Sequence, residues 1–236
     1  MRRLVSDECG DMVMDLHDAA ESGDVAEARR MVAAGADVEE PRGEHEVKPL
    51  HVAAATGHVE VIKVLVEAGA DKESKNVHGM TPLHSAAVNG RVESIKLLVQ
   101  LGVNKDAKDV DGGTPLHYAA FKGHVEAIKL LAQLGADIAV RAVNGETPLQ
   151  TSIRLGHHQA AQVLRELEST ARAQQAAAKE RAQQAAEQDM AEKREAADRV
   201  AAELLEEEER EEAAKTKVRV APPSPHIGAP QRAVGW

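Results

Sequence analysis

Between residues 81 and 103 the chain reads TPLHSAAVNGRVESIKLLVQLGV, and its apolar positions fall into two helical stripes separated by a glycine. Leu83, Ala86 and Ala87 lie on one face of a short helix, with alanines small enough to let a neighbouring helix come close. Ile95, Leu97, Leu98 and Leu101 lie on one face of a second, beginning near Val92. Thr81 is placed to cap the first helix and Pro82 to open it, where a missing N–H costs nothing. Gly90 and Gly102 stop the two helices, and the Asp-rich text over 104–112 has the turn chemistry of a projecting hairpin-like loop. The predicted unit is helix, turn, helix, loop.

That unit recurs. TPLH at 81–84 returns at 114–117, TPLQ stands at 147–150 and KPLH at 48–51, each 33 positions from the next by subtraction of residue numbers. A degenerate earlier copy, DLHDAAESGDVAEARRMVAAGAD, lies at 15–37. Leu16 to Leu50 is 34 positions, which places a one-residue insertion around 41–47. A fixed period of this length signals a stacked array, in which each unit is too small to bury its own apolar face and is stabilised by its neighbours. The complete T-P-L-H-x-A signatures at 81–86 and 114–119 resemble those of ankyrin repeats, over roughly 11–168. The resemblance implies an all-α, ankyrin-type helix-turn-helix solenoid with short hairpin loops.

Five units are expected, with interior ones starting near Glu46, Gly79 and Gly112. In the last, Gln150 replaces the histidine, Ser152 and Ile153 replace paired alanines, and Gln159, Gln162, Arg165 and Glu166 face outward, as a cap requires. Glu27, Arg29 and Arg30 do the same for the first unit. The expected organisation is a flexible N-terminus over 1–10, the array over 11–168, an extended charged helix over 169–216 and a disordered Pro-rich tail over 217–236. The helix is built from Ala, Glu, Gln, Lys and Arg without Gly or Pro. Asp189–Lys193, Glu195–Arg199, Glu206–Arg210 and Glu211–Lys215 are expected to pair across one turn. Its larger apolar residues, Met190, Val200, Leu204 and Leu205, are few for a coiled coil, although alanines supply a weak seam. In the tail, Pro222 and Pro225 have the spacing of a proline-rich ligand.

Composition narrows the function. Only 1% of the 236 residues are aromatic, which argues against a bulky sandwich or barrel core, and the net charge of -10 argues against non-specific nucleic-acid binding. The single cysteine, Cys9, excludes an internal disulfide framework. No secretory signal opens the chain and no stretch approaches a membrane span, so cytoplasmic or nuclear residence is expected, with no membrane partner.

Chemistry finds little purchase. His51, His84 and His117 form one periodic set and His58, His124 and His157 another, but equivalent residues of stacked helices stand about 8–10 Å apart, too far to share an ion. These histidines are expected to tie loops and helix starts by hydrogen bonds, and His157 and His158, adjacent on a helix, point apart. Ser85 and Ser94 near His84 lack the third group that orients a base. Asp111 to His117, DGGTPLH, lacks the lysine of a phosphate loop. No catalytic, metal or cofactor residue is therefore assigned, and the chain is not expected to be an enzyme.

The resemblance implies instead a protein partner, docked on the concave face built by loop tips and first helices. Carried onto this sequence, that face comprises Val77, His78, Met80, Val88 and Asn89, then Val110, Asp111, Phe121 and Lys122, then Val143, Asn144, Glu146, Arg154 and Leu155. Phe121, in a chain with one phenylalanine, is the anchor to watch, against the alternative that it fills a gap between first helices, and Tyr118 is read as packing. The function expected is a non-catalytic adaptor with a monomeric array. The alternative is an oligomeric scaffold assembled through the C-terminal helix.

Overall fold

The computed structural model describes residues 14–219, and among them are ten helices and no strand. They come in pairs: α1 (Leu16–Ser22) with α2 (Val25–Ala33), α3 (Pro49–Thr56) with α4 (Val59–Glu67), α5 (Pro82–Val88) with α6 (Val92–Gln100), α7 (Pro115–Lys122) with α8 (Val125–Gln133), and α9 (Pro148–Arg154) with α10 (His158–Arg219). First helices stack on first helices, α1 on α3, α3 on α5, α5 on α7 and α7 on α9, while α2, α4, α6 and α8 form a parallel row. The expected flexible N-terminus over 1–10, the expected tail from 220 onward and its proline motif at 222–225 lie outside the described residues.

The first helices are short because each is bounded by hard punctuation. Thr81 and Thr114 cap α5 and α7, with proline at the first helical position and a histidine three residues on closing a reciprocal capping box. Leu83, Ala86 and Ala87 are fully buried, as are Leu50, Ala53 and Ala54 in the preceding unit. Methyl-sized alanines let first helices approach closely, and the leucines fill the seam. In α6, Ile95 and Leu98 are fully buried, whereas Leu97, and Leu101 at the C-cap, are only half-buried.

Hairpins link the pairs. Asn76 N–H donates to the Met80 carbonyl at 3.1 Å, Asp109 N–H to Gly113 at 3.0 Å and Ala142 N–H to Glu146 at 3.1 Å. The earlier hairpin closes instead between Arg42 and Val47, one residue wider, with Glu46 at a φ of 50°. This is where the 34-residue spacing had placed an insertion. Neighbouring tips are then joined by single backbone bonds: Val77 N–H to the His45 carbonyl, Val110 to His78 and Val143 to Asp111, at 3.3, 3.1 and 2.8 Å. Gly79 shows why the tip needs glycine: its φ is 74°, and a Cβ there would stand 3.0 Å from the backbone nitrogen of Val110.

The chain divides into two compact units, Met1–Ala173 and Gln174–Trp236. The first holds the array. On its terminal surfaces Arg29, Arg30, Gln159, Gln162, Arg165 and Glu166 are exposed, and Ile153 is 48% exposed, whereas Glu27, expected to face outward, is half-buried with its carboxylate on Arg30. In the second unit Lys193, Arg210 and Lys215 pair with Asp189, Glu206 and Glu211 at 2.7, 3.4 and 3.2 Å. The fourth expected pair differs: Arg199 Nε donates to the backbone carbonyl of Glu195 rather than to its carboxylate. With neither Gly nor Pro between residues 158 and 219, α10 continues through residue 168 and past 216.

Candidate functional site

The histidines that invite a catalytic or metal reading are committed to joining units. His51, His84 and His117 each direct Nε2 to a carbonyl of the next hairpin, Met80, Gly113 and Glu146, at 3.0, 3.2 and 3.1 Å. On the other side of the ring, His84 Nδ1 takes the Thr81 N–H at 3.1 Å and lies 2.9 Å from its hydroxyl, and His117 repeats this with Thr114. Lys48 has no hydroxyl to offer, and His51 Nδ1 is left buried without a protein partner. His58, His124 and His157 reach back to the carbonyls of Glu21, Val88 and Phe121. Two members of these sets escaped the sequence reading. His17 bonds the Val47 carbonyl at 2.8 Å, and Arg91 takes the place of a histidine, donating Nε to Ala55. The shifted register of the first unit hid His17, although its place beside Leu16 was the signal.

The three buried rings of the first set, His51, His84 and His117, are held neutral. Burial pushes His84 down to about 4 from 6.5, and pushes His51 and His117 down as well, because charging a ring inside the stack forfeits its hydration. With both nitrogens of His84 engaged, it has none left to activate Ser85. Ser94 Oγ is buried without a protein partner. Among the described residues no group of three or more His, Cys, Asp or Glu is arranged to hold a metal ion, and no helix is long and apolar enough to cross a membrane.

Among the described residues, one feature with room for a ligand is a cleft of about 440 Å³ between α7 and α9. Its floor is an ordered loop. Asp109 Oδ1 accepts from the N–H groups of Asp111 and Gly113 at 3.0 and 2.7 Å, and Oδ2 accepts the Tyr118 hydroxyl at 2.5 Å. Burial, then this carboxylate, raises the Tyr118 phenol above its usual range, while its ring sits edge-on to His84, centroids 5.7 Å apart. One wall is Phe121, 43% exposed, with Lys122 Nζ 5.4 Å from the ring centre. Val143, 79% exposed, and Asn144 also line it. The far end is a clamp: Arg154 donates Nε and Nη2 to the two carboxylate oxygens of Glu146 at 2.8 and 3.1 Å, and Thr151 adds a third bond at 3.3 Å. Arg154 foremost holds the Glu146 carboxyl below its ordinary range.

Of the residues singled out from sequence, the cleft gathers Asp111, Phe121, Val143, Asn144, Glu146 and Arg154. Val77, His78 and Val110 stand exposed on hairpin tips outside it, and Asn89, Lys122 and Leu155 are exposed near the ends of first helices. Met80 and Val88 are half-buried, each lending its carbonyl to a histidine. Tyr118, read as packing, both packs and lines the cleft. Asp109 was not singled out, yet it organises the floor. The signal was its register with Asn76, whose side chain accepts in the same way from His78 and Met80.

The family description "ankyrin repeats (3 copies)" matches residues 16–109 and 101–175. The chain belongs to the ankyrin-repeat family, whose repeats mediate protein–protein interaction and are typically non-enzymatic. A search of curated proteins found no match.

Proposed function

We propose that this chain is a non-catalytic adaptor whose protein partner docks on the face formed by hairpin tips and first helices, with the cleft between α7 and α9 as the anchor. The observation that carries this reading is the exposure of Phe121 and Val143 in the lining of one cleft, in a chain where aromatics are 1% of residues. Full burial of such a side chain is worth about 1.5–3 kcal/mol, and a partner's apolar side chain recovers the share that Phe121, 43% exposed, still forfeits. Around it stand groups already satisfied internally, Asp109 by Tyr118 and Glu146 by Arg154, so docking strands few polar atoms. The array faces its partner preformed, which keeps the ordering cost on this side small.

The test is affinity capture with the intact chain, followed by a binding measurement on the captured partner with Phe121→Ala and with Lys129→Ala on α8 as control. Phe121→Ala is expected to weaken binding by at least about 2 kcal/mol, roughly thirtyfold, with an almost unchanged melting temperature. Unchanged affinity together with a large fall in melting temperature would show Phe121 to be a packing residue and refute the anchor. An oligomeric scaffold is the rival reading, drawing on Met190, Val200, Leu204 and Leu205, which are 67, 55, 57 and 62% exposed.

A further inference from the structure

One pair of histidines is used unlike the rest. His45 and His78 occupy the same position in successive hairpin tips, 33 residues apart, and both are exposed. Their rings face each other, with centroids 4.9 Å apart and planes tilted by 44°, and His78 Nε2 lies 3.1 Å from His45 Nδ1. The backbone beneath is already fixed, since Val77 N–H donates to the His45 carbonyl and both hairpins are closed by their own bonds. The rings are therefore delivered to each other by the stack.

Two imidazole nitrogens on one Zn²⁺, each about 2.0–2.1 Å from it, stand about 3.3 Å apart in a tetrahedron and about 2.9 Å apart at a right angle. The 3.1 Å separation falls between those values. As a neutral pair, one nitrogen holds a proton that the other accepts. Moving the donor ring's proton to its outer nitrogen frees the second lone pair, and a modest ring rotation aims both at one point in solvent. We propose that His45 and His78 form a bidentate site for a borderline divalent cation of the Zn²⁺ class, with water completing its coordination. The next two tips carry Asp111 and Asn144 in this position, oxygen donors that suit harder ions. Among these four tips, one ion follows.

Such an ion would cross-link two units whose tips otherwise share a single backbone bond, and it would stabilise the array by RT ln(1 + c/Kd), rising with the free zinc concentration c. The test is isothermal titration of the intact, tag-free chain with ZnCl₂, alongside thermal melts with and without zinc. Saturable uptake with one ion lost in His45→Gln and in His78→Gln is expected, and a melting temperature that rises with zinc in the parent alone. Loss of even an outer partner of a ligand costs about 10–100-fold in affinity, so each variant should fall by at least about tenfold. Without zinc the variants should melt like the parent, because both side chains are exposed and the backbone bonds remain. Absence of saturable uptake by the parent, or uptake equally strong in both variants, would overturn the assignment.

Discussion

His84→Gln separates the structural and the titrating roles of a buried histidine. Glutamine is the informative replacement because Gln150 already occupies the equivalent place in the last unit, where it accepts the Thr147 N–H at 2.9 Å and preserves the capping box. The variant keeps the local cap and loses the bond to the Gly113 carbonyl and the edge contact with Tyr118, a cost near neutral pH of about 1–2 kcal/mol. Titration then works against the parent alone. His84 is pushed down to about 4 in the fold from 6.5 in the free side chain, so below 6.5 the unfolded chain takes up a proton that the folded chain refuses. Its contribution is intact above pH 6.5, is lost as pH falls, and is gone at about 4. Linkage between those values puts the loss at about 2 kcal/mol by pH 5 and about 3 kcal/mol by pH 4. Carboxylates and the other buried histidines titrate in both proteins and cancel from the difference. Urea unfolding followed by circular dichroism at about pH 7 and pH 5 should therefore show the parent ahead by about 1–2 kcal/mol at the higher pH and level with or behind the variant at the lower. A gap that does not change with pH would refute the claim that His84 is held neutral inside the stack.

Leu98 is fully buried in α6, so Leu98→Ala should cost about 2–5 kcal/mol in urea unfolding and loosen the adjoining units, because coupling runs between nearest neighbours. An unchanged midpoint would sink the packing role of that position. For the segment 170–216, few apolar side chains are available to reward association, and helix content per residue by circular dichroism should stay constant over about a hundredfold dilution. Steep loss of helix on dilution would instead favour the oligomeric scaffold.

What the sequence determined alone is what acts within about one helical turn. Thr81 with Pro82, Thr114 with Pro115 and the positive-φ glycines set helix starts and stops through capping, ring geometry and backbone sterics, none of which needs a distant partner. Repetition of those local signals fixed the period, the pairing of helices and the buried stripe, and the extra residue could be placed at 41–47 before any geometry was known. Only the tertiary structure decided which side chains meet across units. Val88, Phe121 and Arg154 occupy equivalent positions at the ends of first helices, yet one is half-buried with its carbonyl given to His124, one stands open on a cleft and one is clamped on Glu146. Tyr118 finds Asp109 through the fold-back of a hairpin, and His45 finds His78 because consecutive tips stack in register. Propensity and capping fix each unit's own backbone, whereas these encounters depend on the step and rotation between units, which packing over the whole stack settles and no single repeat encodes.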